Sequence, residues 1–348
     1  MTGSRGVVVV GMVALLLAGC AGGDPGPGGS PGSGGGDEAP VAAPALGVDC
    51  AGLAGEAALA DAFGSDLAEI PLSFDGSGTY YVLSQIGLAQ AGAVRCEWSD
   101  GGASGPEKYL TLSVLPDAAD DWAANVAEVA AFQPAKNAFG DASQHQCTDF
   151  GGRLSCRVDV LAGGRWLSAV LSGPASEDAA GALIRGALDA LAGVPDGDLP
   201  RPGSAPSCDA LASDADVSAA LGGDVALTAN PGPVQPVLYH AGFLAAGGTH
   251  CYWRGSFSAK ALAAHAGILP GGAAAWDDYV AREVSARVDR EAVSGLGDAA
   301  FAGCVGETSC FAMARVGDVW AAVDVTSEAE PDSRARAIDL LRVLVAGL

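Results

Sequence analysis

Apolar positions recur along this chain in short stretches whose spacing changes from a helical to a strand-like period. Over residues 53–63 they fall on one helical face, and Gly64 follows at the place where many helices end. The apolar stretches 82–90, 94–98 and 109–115 come next, and each has the length of a β-strand. The pattern therefore predicts one helix followed by three strands.

The later part of the pattern predicts two more helices with a hairpin between them. An amphipathic stretch covers 117–131, strand-like runs at 155–161 and 165–171 flank a short turn, and a helical stretch covers 177–191. Neighbouring strands are joined by short turns and no strand–helix–strand alternation occurs, so we expect an antiparallel sheet. The pattern favours an α+β fold with helices packed on one face of that sheet.

The same order of landmarks occurs twice in the chain. Cys96-Glu-Trp98 in the first copy corresponds to Cys251-Tyr-Trp253 in the second. Further matching pairs are Cys50 and Cys208, Gly87 and Gly242, Gly92 and Gly247, Pro116 and Pro270, Trp122 and Trp276, Gly140 and Gly297, and Trp166 and Trp320. So many landmarks in one order indicate a tandem duplication, and hence two homologous α+β domains.

The chain has nine cysteines, and Cys20 near the N-terminus stands apart from the other eight. Setting Cys20 aside leaves four cysteines in each copy, and an even number in an exported chain is typical of disulfides. The third and fourth of each set flank a turn, which leaves the first and second to pair with each other. The predicted bonds are Cys50–Cys96, Cys147–Cys156, Cys208–Cys251 and Cys304–Cys310. Zinc is the competing interpretation, but the chain lacks a Cys-x2-Cys pair and has four histidines.

The N-terminus carries a signal for export. The apolar run 7–17 follows Arg5 and ends in Leu17-Ala-Gly-Cys20, which fits a secretory signal peptide and is too short to span a bilayer. A cysteine directly after small residues resembles the lipobox of bacterial lipoproteins, and this resemblance implies that Cys20 is the lipid attachment site. The alternative is an ordinary signal peptide with a cysteine near the cleavage site.

These observations divide the chain into five segments. The predicted segments are a lipoprotein signal peptide at 1–19, a disordered Gly/Pro-rich tether at 20–47, a first repeat domain at 48–194, a Pro/Gly linker at 195–205 and a second repeat domain at 206–348. A lipid at Cys20 would place the exported protein on the outer face of the cytoplasmic membrane, with the membrane as one partner.

Composition narrows the classes of partner. Hydrophobic residues make up 49% of the chain and charged residues 17%, which is ample for packed cores. The net charge of −23 opposes binding to a nucleic-acid phosphate backbone and electrostatic docking on anionic lipid. The acidity therefore indicates solubility rather than a particular ligand.

Candidate chemistry is sparse, and no catalytic residue, metal site or cofactor is predicted. The four histidines, at 145, 240, 250 and 265, do not recur at matching positions in the other copy. Gly295-Leu-Gly297 resembles a dinucleotide fingerprint but follows a helical stretch and enters a strand, which is the wrong context. The recurring tryptophans next to cysteines are expected in the core.

Together, Cys-x-Trp after a helix that begins at a cysteine, Gly-Asp-Ala before a Gly-Asp hairpin and a closing helix resemble an actinobacterial lipoprotein family of unknown function. The two-disulfide layout is also distantly similar to extracellular sensor domains of mycobacterial serine/threonine kinases. These resemblances imply no catalytic residues, and this chain departs from the family in carrying the domain in tandem.

Three functions are open at this point. The favoured one is a non-enzymatic binding or sensor-like module for an unknown envelope ligand or protein, with the groove between the two domains as one place for a ligand. A carrier of a lipid or other apolar molecule would need a cavity of several hundred Å³. An envelope hydrolase would need titratable groups clustered in a cleft.

Overall fold

The computed structural model describes eleven stretches of the chain. They are 46–70, 79–101, 107–126, 133–134, 139–195, 203–228, 237–255, 262–281, 289–306, 308–327 and 333–348. Cys20, the predicted signal peptide and nearly all of the predicted tether lie outside these stretches, as does most of the predicted linker. We refer to the described parts of 46–195 and 203–348 as the first and second halves.

The first half contains one antiparallel sheet and five helices. Its helices are α1 (Cys50–Leu53), α2 (Glu56–Phe63), α3 (Thr79–Gln90), α4 (Ala119–Val126) and α5 (Glu177–Ala192). Its strands are β1 (Ala68–Glu69), β2 (Val94–Ser99), β3 (Tyr109–Leu115), β4 (Gln133–Pro134), β5 (Ala142–Asp149), β6 (Leu154–Ala162) and β7 (Arg165–Ser172). Their order in the sheet is β1-β2-β3-β7-β6-β5-β4.

The second half repeats this arrangement. Its helices are α6 (Cys208–Leu211), α7 (Asp214–Leu221), α8 (Val237–Ala245), α9 (Trp276–Ala281, after a 3-10 turn) and α10 (Ser333–Ala346). Its strands are β8 (Val225–Leu227), β9 (Thr249–Gly255), β10 (Leu262–Leu269), β11 (Asp289–Ala292), β12 (Ala299–Val305), β13 (Ser309–Val316) and β14 (Val319–Ser327). The order β8-β9-β10-β14-β13-β12-β11 matches the first sheet strand for strand. The predicted α+β class with two antiparallel sheets is confirmed.

Local signals account for several element ends. Gly64 and Gly222 end α2 and α7 with φ angles of 65° and 67°, in the left-handed region that favours glycine. Ser176 and Ser213 begin α5 and α7 by accepting a hydrogen bond from a backbone N–H in the first turn. These are positions where the sequence alone indicates a boundary.

One predicted strand is wrong. The stretch 82–90 belongs to helix α3, not to a strand. Most residues of α3 are buried, including the polar Ser84 and Gln85, so the order of apolar and polar residues in its sequence carries little helical periodicity. Such a run does not by itself distinguish a buried helix from a buried strand. The predicted helix at 117–131 is observed as α4, and its end lies outside the described residues.

Two disulfides stabilise each half. Cys50–Cys96 ties α1 to β2, and Cys208–Cys251 ties α6 to β9. Cys147–Cys156 and Cys304–Cys310 join directly opposed residues of the β5–β6 and β12–β13 hairpins. This is the pairing that the sequence predicts.

One face of each sheet is covered by helices of its own half. Side chains of α1, α2 and α5 pack on the first sheet, with Leu59, Phe63 and Ile184 at most 2% exposed. In the second half α7 and α10 cover the corresponding face, with Leu221 and Leu340 fully buried. Burying a leucine of this size contributes about 1.5–3 kcal/mol, so this face forms the main core of each half.

The opposite face of each sheet is covered by a helix from the other half. Helix α3 of the first half lies on β10, β13 and β14, where Leu83 packs beside Met313 and Trp320. Gly267 on β10 makes room for it, because an added Cβ there would stand 2.8 Å from Leu83 Cδ1. Helix α8 of the second half lies on β3 and α4, where Leu238 packs with Leu115 and Trp122. We call α3 and α8 the exchanged helices.

The exchanged helices also cross each other at two glycines. A Cβ on Gly87 would stand 2.8 Å from the Cα of Phe243, and one on Gly242 would stand 2.9 Å from the Cα of Leu88. Gly87 and Gly242 are matching positions of the repeat, so the crossing has approximate twofold symmetry. The junction between the halves is thus filled by two packed helices, and the described part of 42–348 forms one compact unit.

Among the described residues, no helix is both long enough and apolar enough to span a bilayer.

Candidate functional site

Three of the four histidines meet where α3 docks on the second sheet. His240 lies on the exchanged helix α8, His250 on β9 and His265 on the adjacent strand β10. Their ring centroids are separated by 5.6 Å from His240 to His250 and by 5.5 Å from His250 to His265. We call these three residues the histidine cluster.

Tyrosine side chains complete the cluster. The ring of Tyr80, from α3 of the first half, stacks on His250 with centroids 3.8 Å apart, and its hydroxyl is hydrogen-bonded to His240 Nδ1. Tyr252 pairs with His265 across the sheet, with ring centroids 4.4 Å apart. The first half therefore contributes Tyr80 to the surroundings of a cluster whose three histidines belong to the second half.

His250 and His265 are hydrogen-bonded to each other. His250 Nε2 lies 3.3 Å from His265 Nδ1, and the two rings are nearly parallel, 15° apart. A bond between two imidazole nitrogens needs one N–H donor and one lone-pair acceptor. The pair therefore accommodates one proton between its facing nitrogens.

Asp324 holds the beginning of α3 on the same sheet. It lies on β14 directly across from His265, and its carboxylate accepts hydrogen bonds from the backbone N–H of Thr79 and of Tyr80, at 3.0 and 3.2 Å. The Thr79 hydroxyl donates a further bond of 2.6 Å. A carboxylate suits the N-terminus of a helix, so the second half caps a helix of the first.

Burial dominates the ionisation of these groups. It lowers the pKa of His250 to about 2, helped by the nearby His265 and His240, and it lowers the pKa of His265. It also raises the pKa values of Tyr80 and Asp324. Stacking on Tyr80 favours a charged imidazole by about 0.5–2 kcal/mol, which corresponds to raising the pKa by about one. This effect is smaller than the opposing effect of burial on the pKa of His250. The imidazoles of His250 and His265 are therefore neutral at pH 7.

The first half places different side chains at the matching positions. Gln85, Arg95 and Thr111 occupy the places of His240, His250 and His265, as their spacing from the paired glycines and cysteines and the strand registers show. Glu97 stands where the second half has Tyr252. The two ends of the junction between the halves therefore have the same backbone arrangement but carry different side chains.

An ion pair occupies the end of the junction where Gln85, Arg95 and Glu97 lie, which we call the first-half end. The Arg95 guanidinium donates hydrogen bonds to Gln85 of α3 and to Glu97, with which it forms an ion pair, and its side chain is 8% exposed. Its Cζ atom also lies 5.0 Å from the ring centroid of Tyr239 on α8. At this end the exchanged helices contact the Arg95–Glu97 ion pair. At the other end they are joined by the stacked and hydrogen-bonded rings of Tyr80 and the histidine cluster.

Other sequence candidates lie elsewhere. His145 is on β5 of the first sheet, and Trp98, Trp166, Trp253 and Trp320 are buried core residues, as expected. Gly295-Leu-Gly297 forms the turn between β11 and β12. In the described stretches, no set of three or more His, Cys, Asp and Glu side chains is arranged to hold a metal ion.

Sequence reasoning considered the histidines but missed their partners Tyr80, Tyr252 and Asp324. The alternation of His250 and Tyr252 on β9 was an available signal, because residues two apart in a strand share a face. Tyr80 lies 160 residues from His240 in the sequence, and only the fold brings them together.

Comparisons with known proteins assign no family. No family model matches the sequence, and no curated protein matches it. Among solved structures, the chain is similar to the crystal structure of the di-domain ARO/CYC StfQ from the steffimycin biosynthetic pathway, with 8% identity over 72% of this chain and 83% of that chain. The TM-score of 0.13 is too low to support a conclusion on fold or function.

Proposed function

We propose that this protein is a lipid-anchored protein on the outer face of the cytoplasmic membrane, and that its folded part is a non-enzymatic binding or sensor-like module. The lipobox-like Leu17-Ala-Gly-Cys20 and the Gly/Pro-rich stretch after it support the anchor. The four disulfides support folding in an oxidising compartment outside the cytoplasm.

One observation supports the non-enzymatic part of the proposal. The carboxylate, hydroxyl and imidazole groups at the junction are hydrogen-bonded to other groups of the protein itself. Asp324, which lies directly across from His265, caps α3. In a hydrolase such a carboxylate would orient a histidine. The hydroxyl bonded to His240 belongs to Tyr80, and burial raises its pKa, which opposes formation of a nucleophilic phenolate. These contacts favour a structural use of the cluster.

An envelope hydrolase is the second candidate, because the cluster brings three histidines together. It would require a nucleophile activated by one of them. Hydrolysis of an envelope polymer that is abolished by His250→Gln, with the fold retained, would favour this candidate over a binding module.

The anchor is tested with Cys20→Ala. We expect the wild-type protein to fractionate with membranes and its processing to be inhibited by globomycin, and we expect Cys20→Ala to lose both properties. Cys20 is the one cysteine without a disulfide in our assignment, so its replacement leaves the folded part intact. Near-UV circular dichroism on both proteins controls for folding, and a variant that remains in the membrane fraction would refute lipidation.

The binding role is tested by crosslinking on intact cells. We expect one envelope protein or ligand to be recovered reproducibly with the wild type and to be depleted with Cys20→Ala, which removes the protein from the membrane surface. A cytoplasmic protein of similar abundance serves as the control for nonspecific capture. Recovery of no reproducible partner in repeated experiments would count against a binding module.

A further inference from the structure

We propose that the histidine cluster makes the docking of α3 on the second sheet depend on pH, so that acidification releases the N-terminal part of α3 and loosens the junction between the halves. The inference goes beyond the proposed envelope role. It rests on the geometry of the cluster and holds for the folded part with or without a lipid.

The contact between His250 and His265 limits how many protons the cluster accepts. At 3.3 Å, the facing nitrogens share one proton as donor and acceptor. Protonating both rings would turn two N–H groups towards each other and place two positive charges in contact. His240, whose Nδ1 is bonded to the Tyr80 hydroxyl, is a third basic ring at 5.6 Å from His250. Protonation of one ring therefore makes protonation of the next less favourable, because the positive charges repel each other.

The groups around the cluster do not neutralise several protons. The titratable and charged groups towards the cluster are Tyr80 on α3, His240 on α8, Tyr252 and Arg254 on β9, Asp324 on β14 and, beyond Asp324, Tyr279 on α9 and Arg290 on β11. Tyr81 on α3 and Tyr239 on α8 contact each other near Arg95, at the other end of the junction. Asp324 is the acid among the groups towards the cluster, and three hydrogen bonds hold it at the start of α3. An imidazolium at His265 would compete with α3 for this carboxylate.

Tyr80 links protonation to the position of α3. Its ring covers His250 at 3.8 Å, and its backbone N–H is bonded to Asp324. Hydrating a newly charged His250 requires the Tyr80 ring to move away. Because Tyr80 is in the first turn of α3, that movement breaks the cap at Asp324 as well.

The direction of the effect follows from burial. The docked state holds the pKa of His250 near 2, whereas an exposed histidine has a pKa near 6.5. Below pH 6.5 the undocked state therefore binds more protons, and docking is favoured less as the pH falls. For His250 alone the docking equilibrium weakens about tenfold per pH unit below 6.5, or about thirtyfold at pH 5. The lowered pKa of His265 acts in the same direction.

The first-half end of the junction provides an internal contrast. Arg95 and Glu97 occupy the positions of His250 and Tyr252 and form an ion pair there. None of the matching positions in the first half holds a histidine, so this end lacks the imidazoles on which the acid response depends. We therefore expect acid to loosen the N-terminal part of α3 while α8 stays on the first sheet.

Hydrogen exchange on the full chain tests the inference. Amide exchange rates are measured at pH 7.5 and 5.0 and corrected for the intrinsic pH dependence of exchange, with α5 and α10 as references. We expect corrected exchange in residues 79–84 to rise at least tenfold at pH 5.0, with little change in α5 and α10. We expect His250→Gln, which cannot be protonated, to reduce that rise to a few-fold.

Two further variants keep the test decisive. His145→Gln, on β5 of the first sheet, is the matched control and should retain the full acid response. His265→Thr introduces the residue found at the matching first-half position, and it replaces His250→Gln if that variant does not fold. Exchange of α3 that is the same at both pH values in the wild type, or an acid response that is equal in wild type and His250→Gln, would overturn the inference. Neither outcome bears on the Cys20→Ala result, so failure of the envelope proposal is recognised separately.

Discussion

The crossing of the exchanged helices can be tested by adding a single methyl group. Gly87→Ala would place a Cβ 2.8 Å from the Cα of Phe243 and 3.1 Å from its Cδ2. Carbon atoms in van der Waals contact are about 3.5–4.0 Å apart, so α3 and α8 would have to separate by close to 1 Å. The backbone atom of Phe243 cannot rotate away as a side chain can.

The expected magnitude combines two opposing effects. Overpacking of a close contact costs about 1–3 kcal/mol, and replacing glycine by alanine inside a helix returns about 1 kcal/mol. We therefore expect Gly87→Ala to lower the free energy of unfolding by up to about 2 kcal/mol. Gly242→Ala meets Leu88 Cα at 2.9 Å and should behave alike. The double variant should lose less than the sum of the two, because one separation relieves both contacts.

Gly186→Ala is the matched control. Gly186 lies inside α5, is exposed, and an added Cβ there meets no atom within 4 Å. We expect this variant to gain about 0.5–1 kcal/mol from helix propensity alone. Guanidinium unfolding followed by tryptophan fluorescence and circular dichroism measures the stability of the wild type and of all four variants. If Gly87→Ala stabilised the protein as much as Gly186→Ala, the close crossing would be refuted.

Two other predictions concern bonds that tie distant parts of the chain. Replacing Cys50 and Cys96 by serine opens a loop of 46 residues and should cost about 4 kcal/mol, whereas replacing Cys147 and Cys156 opens one of 9 residues and should cost about 2.5 kcal/mol. Equal losses in denaturant unfolding would contradict the loop-length explanation. Asp324→Ala leaves the first amides of α3 without their acceptor and should cost about 1–3 kcal/mol. Asp339→Ala, which removes an exposed ion pair with Arg342, should change stability by less than about 1 kcal/mol, and a similar loss in both variants would argue against the capping role.

Much of the fold could be predicted because its signals are local or repeated. Glycines that end helices, serine caps and the Gly317-Asp318 hairpin turn act over a few residues, and Gly64 and Gly222 end matching helices of the two halves. Cysteine pairing followed from the same duplication. Helix α3 was missed because most of its residues are buried, polar ones such as Ser84 and Gln85 included, so no polar face reveals a helical period.

The candidate site was harder to predict because the contacts that form it are long-range. Gly87 and Gly242 were recognisable as matching glycines, but their role depends on each helix leaving its own half. The histidines lacked counterparts in the first copy, which made them look incidental. The matching positions hold Gln85 and Arg95, which are hydrogen-bonded to each other, and Arg95 forms an ion pair with Glu97. The lack of matching histidines therefore reflects a difference between the two ends of the junction.

Helix exchange also explains why the two copies are in one chain. A protein with a single copy would leave one sheet face uncovered and one apolar helix unsupported, and it would bury both by pairing with an identical molecule. Joining the copies converts that concentration-dependent pairing into an intramolecular one, with an effective concentration set by the linker. An identical pair must carry the same residues at both ends of its axis. A single chain removes that constraint, because its two matching positions can hold different residues, here Arg95 and His250.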